Sequence, residues 1–273
     1  MRLVLVLVGC LLLVLGGLYA YQRRLIYFPR QLPPALFADE VRAALGERAE
    51  ILAPFDAIVI DPAPGTTIRG TVILFHGNAS LGLDRAHLAG VFASRGLRLV
   101  LAEYPGYGPR GGAPTEPALV ADGAALYAAI VQRYPEAPVL VAGESLGTGV
   151  AVQVAAREAA RPPSRLLLLT PFLSLAETAA RAYWFLPARF LVKDRFDSAA
   201  QLPHYRGPVA ILVAGNDEVV GAAQGRALAQ LSRARGETAY VEIPEAGHNS
   251  WSALISDAQW TTLLSLPPAA GRP

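Results

Sequence analysis

The sequence predicts an α/β protein: a mostly parallel central sheet with helices on both faces, preceded by one N-terminal apolar helix. Three observations carry this. Short apolar runs of strand length alternate with segments of helical period from Ile58 to Leu264. The runs are apolar on nearly every residue, as strands covered on both faces must be. Leu3 to Ala20 carries no charge over about 18 residues, just long enough to cross a bilayer as a helix. With 273 residues, 53% of them hydrophobic, the chain has the apolar content for one large core.

In chain order, residues 1–21 read as a membrane anchor and 22–54 as a connector containing Pro33-Pro34 and a short helix around Asp39 to Ala49. A cleaved signal peptide is the main rival for the first segment. However, Leu18-Tyr19-Ala20 is a poor small-x-small cleavage site, and few apolar residues precede Cys10 in the lipoprotein-like Leu7-Val8-Gly9-Cys10. Arg23, Arg24 and Arg30 outweigh Arg2 plus the amino terminus, which points to a cytoplasmic C-terminal domain while leaving the side of the membrane open. The domain proper is expected over 55–266. Before Thr71 only Ile58-Val59-Ile60 reads clearly as a strand.

Thr71 to Phe75, β-branched and aromatic, is a buried strand. A helix from Asp84 to Ser94 follows, stopped by Gly96. Leu97–Ala102, Val139–Ala142, Arg165–Thr170, Val209–Ala214 and Thr238–Ile243 are the further strands. Helices are expected over 116–134, 148–158, 222–235 and 252–264, and a frayed tail over 267–273.

Charge narrows the partners. Net charge is +2, and the basic residues, all arginine except Lys193, are scattered, so no nucleic-acid surface is expected. One cysteine, Cys10, allows neither an internal disulfide nor a cysteine zinc site.

The chemistry is concentrated in Gly143-Glu144-Ser145-Leu146-Gly147, a G-x-S-x-G between an apolar strand and a small-residue helix. A serine on so sharp a turn is pushed out of the sheet, and the glycines leave room for the turn and for a substrate carbonyl. A hydroxyl needs a base at neutral pH, usually an imidazole held by a carboxylate. Of His76, His87, His204 and His248, only His248 follows both the serine and a strand that ends just before a last helix. Asp217, on the turn after Ala210–Asn216, is the expected acid, with Glu218 its neighbouring rival. The N–H of Leu146, at the start of the following helix, supplies one oxyanion donor. The N–H of Asn78, on the His76-Gly77-Asn78 loop, supplies the second. His76 itself is expected to hydrogen-bond within that loop.

Taken with Phe75-His76-Gly77-Asn78-Ala79, Tyr104-Pro105-Gly106-Tyr107-Gly108, Asp217-Glu218-Val219-Val220 and Gly247-His248-Asn249, the elbow makes the chain resemble the α/β-hydrolase superfamily over about residues 70 to 260. Within it the chain is similar to N-terminally anchored serine hydrolases of the bud-emergence-homologue group, described as serine aminopeptidase-like or lysophospholipase-like. Thr170–Leu175 and Phe196-Asp197-Ser198 also match that group. The resemblance implies an eight-stranded hydrolase sheet and no metal or organic cofactor; Ile51 to Gly70 is short for that sheet's usual pair of opening strands, so this edge is expected to be trimmed. Gly215 to Asp217 is one residue tighter than the group's usual spacing, which keeps Glu218 open.

The insertion over about 175–206 reads as a small lid. It interleaves Tyr183-Trp184-Phe185-Leu186 and Phe190-Leu191 with Arg181, Arg189, Lys193 and Arg195. Its aromatic face is expected to pack over the sheet; the other reading is an amphipathic cap resting on anionic headgroups and admitting acyl chains. The expected activity is hydrolysis of a short or medium acyl ester on a small-molecule or lipid-like substrate. A thioesterase or peptidase on the same residues is the alternative. A different class, a catalytically silent anchored interaction module, is opposed by the intact serine, acid and histidine.

Overall fold

A computed structural model describes residues 1–158 and 160–265, so the tail expected over 267–273 lies outside the described residues. Helix α1 (Arg2–Ile26) leaves Leu3, Leu5, Leu12 and Leu13 exposed along its N-terminal part and meets the domain at its C-terminal end. Its 25 residues rise about 37 Å, against a hydrocarbon core of about 30 Å. By length and composition it is a candidate membrane span.

Helix α2 (Pro34–Leu45) begins on a proline at its first position, where no N–H is missed, and buries Phe37 and Val41. The sheet follows as β1 (Ala49–Leu52), β2 (Ala57–Ile60), β3 (Gly70–Phe75) and β4 (Leu97–Leu101), with a 3₁₀ turn over Gly82–Leu88 and α3 (Ala89–Ala93) between the last two. Next come α4 (Glu116–Arg133), β5 (Val139–Glu144), α5 (Leu146–Arg157) and β6 (Arg165–Leu169). The lid contains α6 (Leu175–Ala182), α7 (Ala188–Leu191) and α8 (Ser198–Gln201). The chain closes with β7 (Val209–Ala214), α9 (Ala222–Arg233), β8 (Thr238–Ile243), α10 (Trp251–Leu254) and α11 (Asp257–Leu264).

The eight strands lie in the order β1-β2-β4-β3-β5-β6-β7-β8, parallel from β4 to β8 and antiparallel at the β1-β2-β4 edge. Side chains alternate between two cores. Ile73, Phe75, Val141, Leu168 and Ile211 face α4 and α5, while Val72, Leu74, Leu140, Leu167 and Leu212 face α2, α3 and α11. The predicted α/β architecture is therefore present, with both faces of the sheet covered. Order reverses about β3, which has β4 on one side and β5 on the other. Register pairs Phe75 with Gly143, so the loops leaving β3 and β5 rise side by side. Such a reversal point is where open α/β sheets form their ligand crevice.

Three expectations need correction. The opening edge is not trimmed: Ala49–Leu52 pairs antiparallel with Ala57–Ile60, so part of the stretch read as connector is sheet. Ala-Glu-Ile-Leu is too short and mixed to announce a strand alone, and it is its pairing with β2 that makes it one. The helix read around Asp39 to Ala49 instead runs from Pro34 to Leu45. The last helix is broken at Ile255-Ser256, where Ser256 and Gln259 form a reciprocal cap that starts α11 afresh.

Candidate active site

Ser145 joins β5 to α5 with φ 51° and ψ −118°, a backbone conformation that non-glycine residues rarely hold. Its N–H donates to the Leu169 carbonyl at 3.0 Å and its carbonyl accepts from the Thr148 N–H at 2.9 Å. The flanking glycines are required by space. A Cβ on Gly143 would overlap the carbonyl of Gly147, and one on Gly147 would overlap the carbonyl of Phe75. Helix α5 thus lies close against β3 and β5, and the hydroxyl is lifted clear of both strands.

The structure brings Ser145, His248 and Asp217 into one hydrogen-bonded row. Ser145 Oγ lies 2.8 Å from His248 Nε2, and His248 Nδ1 lies 2.7 Å from Asp217 Oδ2. Asp217 and His248 stand on the loops after β7 and β8, neighbouring strands of the sheet, and both are buried. The second oxygen of Asp217, Oδ1, accepts the N–H groups of Val219, Val220 and Gly221 at 3.0, 2.9 and 3.3 Å. Burial raises the Asp217 carboxyl, but the hydrogen bond and charge of His248 and the backbone N–H groups of Val220 and Gly221 outweigh it. The group is held below the usual carboxylate range. Glu218 does not reach the ring; its Oε2 accepts the main-chain N–H of His248 at 3.1 Å.

The loop after β3 and the first residue of α5 flank the serine. A Cβ on Gly77 would sit 3.5 Å from Ser145 Cβ, so the loop after β3 passes directly over the hydroxyl's root. Both polar atoms of the Asn78 side chain are bonded. Oδ1 accepts from Phe28 N–H at 3.1 Å, Ala79 N–H at 2.9 Å and Tyr107 Oη at 2.8 Å, while Nδ2 donates to the Ile26 carbonyl at 2.5 Å. Leu146 is the first residue of α5, where main-chain N–H groups have no partner in their own helix.

The remaining histidines lie outside this row. His76 is fully buried, with Nδ1 2.7 Å from the Gly77 carbonyl and Nε2 3.1 Å from Glu103 Oε1. It thus sits within the loop, as the sequence reading has it, and also ties that loop to the end of β4. His87 and His204 are exposed. Two contacts were not foreseen. Glu144, the variable residue before the serine, is buried against Arg85 Nε and accepts from Trp251 Nε1 at 3.3 Å. It braces the elbow against α10, just after His248. Only the burial of a carboxylate inside G-x-S-x-G signals it, and sequence does not show burial. The lid corrects the other expectation. Its aromatic residues do not pack over the sheet, since Trp184 and Phe190 are each 82% exposed and Phe185 is 65% exposed. Among the described residues, no cluster of three or more His, Cys, Asp or Glu is placed to hold a metal ion.

A buried carboxylate, an imidazole and a serine in a row at the ends of parallel strands is the equipment of a serine hydrolase. A family model described as serine aminopeptidase, S33, matches residues 66–196. An uncharacterized protein of Mycobacterium tuberculosis is 32% identical over 250 residues, covering 86% of this chain and 83% of its own length. The lysophosphatidylserine lipase ABHD12 of Danio rerio is 34% identical over 178 residues, 59% of this chain and 47% of that protein, so the chain spans about half of it. An esterase from Pyrococcus furiosus superposes with TM-score 0.67 at 16% identity, covering 88% of this chain and 98% of its own. A monoacylglycerol lipase from Paleococcus ferrophilus gives 0.56 at 19% identity, covering 76% and 98%. The chain belongs to the α/β-hydrolase superfamily.

Proposed function

We propose that the protein hydrolyses carboxylic esters of lipid-like acyl groups through an acyl-enzyme, with Ser145 as nucleophile, His248 as base and Asp217 as its orienting acid. The observation that carries this is the unbroken row of 2.8 and 2.7 Å contacts from Ser145 Oγ through His248 to Asp217. Asp217 accepts a hydrogen bond from Nδ1–H, which stays on the ring, so the Nε2 lone pair faces the hydroxyl. His248 takes the hydroxyl proton as Oγ adds to the ester carbonyl. The N–H groups of Asn78 and Leu146 receive the charge that develops on the carbonyl oxygen; each such donor is worth on the order of 10²–10³ in turnover. The imidazolium then protonates the departing alcohol. Water, deprotonated by the same imidazole, releases the acid and restores Ser145.

Three things support an ester over other acyl substrates: a relative named as a lysophosphatidylserine lipase, fold neighbours named as an esterase and a monoacylglycerol lipase, and an exposed aromatic lid. Trp184, Phe185 and Phe190 beside Arg181 and Arg189 suit a membrane–water interface, where aromatic rings and cations collect. Residues 1–21 then anchor the hydrolase domain at that surface. The family description as a serine aminopeptidase favours an amide substrate as second reading.

Aryl esters of increasing acyl length, an aminoacyl arylamide and a fluorophosphonate label test both. Ester turnover and labelling that vanish together in Ser145→Ala are expected. Faster turnover of the arylamide would replace the ester reading, and an unlabelled Ser145 would remove it.

A further inference from the structure

The end of α1 is bolted to the lid. Arg23 donates from Nε to Asp194 Oδ2 at 2.9 Å and from Nη2 to Oδ1 at 3.0 Å, and Tyr27 Oη donates to Oδ2 at 3.1 Å. Gln22 Nε2 donates to the carbonyls of Leu191 and Tyr19 at 2.9 and 3.0 Å, and its Oε1 accepts the Lys193 N–H at 2.7 Å. Asp194 and Gln22 are both buried.

Between α1 and the lid lies an open-sided cavity of about 140 Å³. Leu18, Leu25 and Ile26 form the wall on α1, and Ala179 of α6, Leu186 of the turn after it and Leu191 of α7 face them. Gln22 also lines it, yet both hydrogens and the oxygen of its amide are already bonded, so it offers the cavity no unpaired group. An apolar cavity of about 150 Å³ stays dry and accepts an apolar guest the size of benzene.

Its two ends differ. Leu18 lies on the turn of α1 that continues into the exposed apolar length of the helix. Ile26, two turns further on, holds Asn78 through its carbonyl at 2.5 Å, and Asn78 adjoins Gly77, which passes over Ser145. One end of the groove therefore meets the length of α1 that a bilayer would surround, and the other ends at Ile26, whose carbonyl holds the side chain of the loop beside Ser145.

We propose that this groove binds one acyl chain of a membrane lipid, admitted sideways from the bilayer along α1 and led toward Ser145. The proposal deepens the ester-hydrolase reading and rests on it for the fate of the chain. The volume takes only the methylenes nearest the carbonyl, so the rest of the tail stays in the bilayer. For a water-soluble ester, unlike a lipid already in the bilayer, each methylene transferred from water to an apolar site is worth about fourfold in binding. Preference for longer acyl groups among soluble esters should therefore climb over the first several carbons and then level off.

The test uses the full chain with Ser145→Ala, in phosphatidylcholine vesicles carrying a lysophospholipid with a diazirine in its acyl tail. Photolysis is expected to mark residues between Ala179 and Leu191, and Ala179→Trp, which fills the groove, to reduce that labelling tenfold or more. Adducts confined to residues 3–17 of α1 overturn the proposal. A second measurement compares rates of inactivation of the serine-bearing protein by long-chain and ethyl fluorophosphonates. Their ratio is expected to fall at least tenfold in Ala179→Trp, and a change under twofold counts against the groove. Lid adducts with no reaction of either fluorophosphonate would leave the groove standing and sink the ester reading alone.

Discussion

Asp217 and His248 meet ring to carboxylate at 2.7 Å, while Glu218 reaches only the main-chain N–H of the same histidine. The two acids are thereby separated in role. An asparagine at 217 can donate to Nδ1, which turns the Nε2 proton toward Ser145 Oγ and leaves no base. Asp217→Asn is expected to lower kcat on the order of 10⁴, with little change in KM. Glu218→Gln should cost less than tenfold. Steady-state kinetics on an aryl ester decide it, and the opposite ranking would transfer the acid's role to Glu218.

Asn78 is expected to matter through its side chain as well as its N–H. Alanine there strips partners from Phe28 N–H, the Ile26 carbonyl and Tyr107 Oη at once. The main-chain N–H proposed as a donor stays, but the loop that carries it is no longer tied to Ile26, Phe28 and Tyr107. Turnover should drop by about 10- to 100-fold, less than the 10²–10³ for deleting a donor outright. Asn78→Asp, which keeps the acceptor and loses the donor to Ile26, should fall between. Equal kcat in all three proteins would exclude a positioning role.

Gly147 and Gly90 should respond oppositely to alanine. At 147 the new methyl overlaps the main-chain carbonyl of Phe75, whereas at 90, in α3, it meets nothing within 4 Å. Overpacking of this kind costs about 1–3 kcal/mol or more. Thermal unfolding of Gly147→Ala should fall by about 2–4 °C per kcal/mol in a domain this size. Gly90→Ala should hold or raise the midpoint, because alanine is the better helix former. A destabilised Gly90→Ala would show that the outer surface of α3 is packed.

Acid should weaken the site in a defined direction. Burial works against the Asp217 carboxylate, yet His248 and the turn's N–H groups keep its native pKa below the ordinary 3.8. A depressed carboxylate contributes stability that is fully present above the ordinary value and is lost as pH falls through the native one. Wild-type protein should therefore lose stability relative to Asp217→Asn below about pH 4. Denaturant titrations between about pH 3 and 6 read this difference. A gap that stays constant over that range would mean the carboxyl is not depressed.

Legibility followed sequence distance. The elbow, the apolar strands and the Ser, Asp, His order could be read because each is a local pattern placed at a strand end. The strand Ala49–Leu52 escaped because pairing with Ala57–Ile60, not its own four residues, makes it a strand. Arg23 and Asp194 lie 171 residues apart, and neither carries any mark of the other. The exposure of the lid's aromatics is hidden from the sequence for a similar reason. Apolar character argues for burial, but nothing local says whether protein or something outside it does the burying.

The ties of α1 to the lid bear on how the protein can be handled in solution. Trimming back to Pro29, the obvious way to gain solubility, spares Ser145, Asp217 and His248. It also takes Arg23 and Tyr27 from a buried Asp194, and Ile26 and Phe28 from Asn78. Such a fragment would carry an orphaned acid under a loosened cover, and low activity from it would indict the cut rather than the enzyme. A water-soluble version is better sought by recolouring residues 3–17 with polar side chains and leaving Leu18 to Phe28 as they stand.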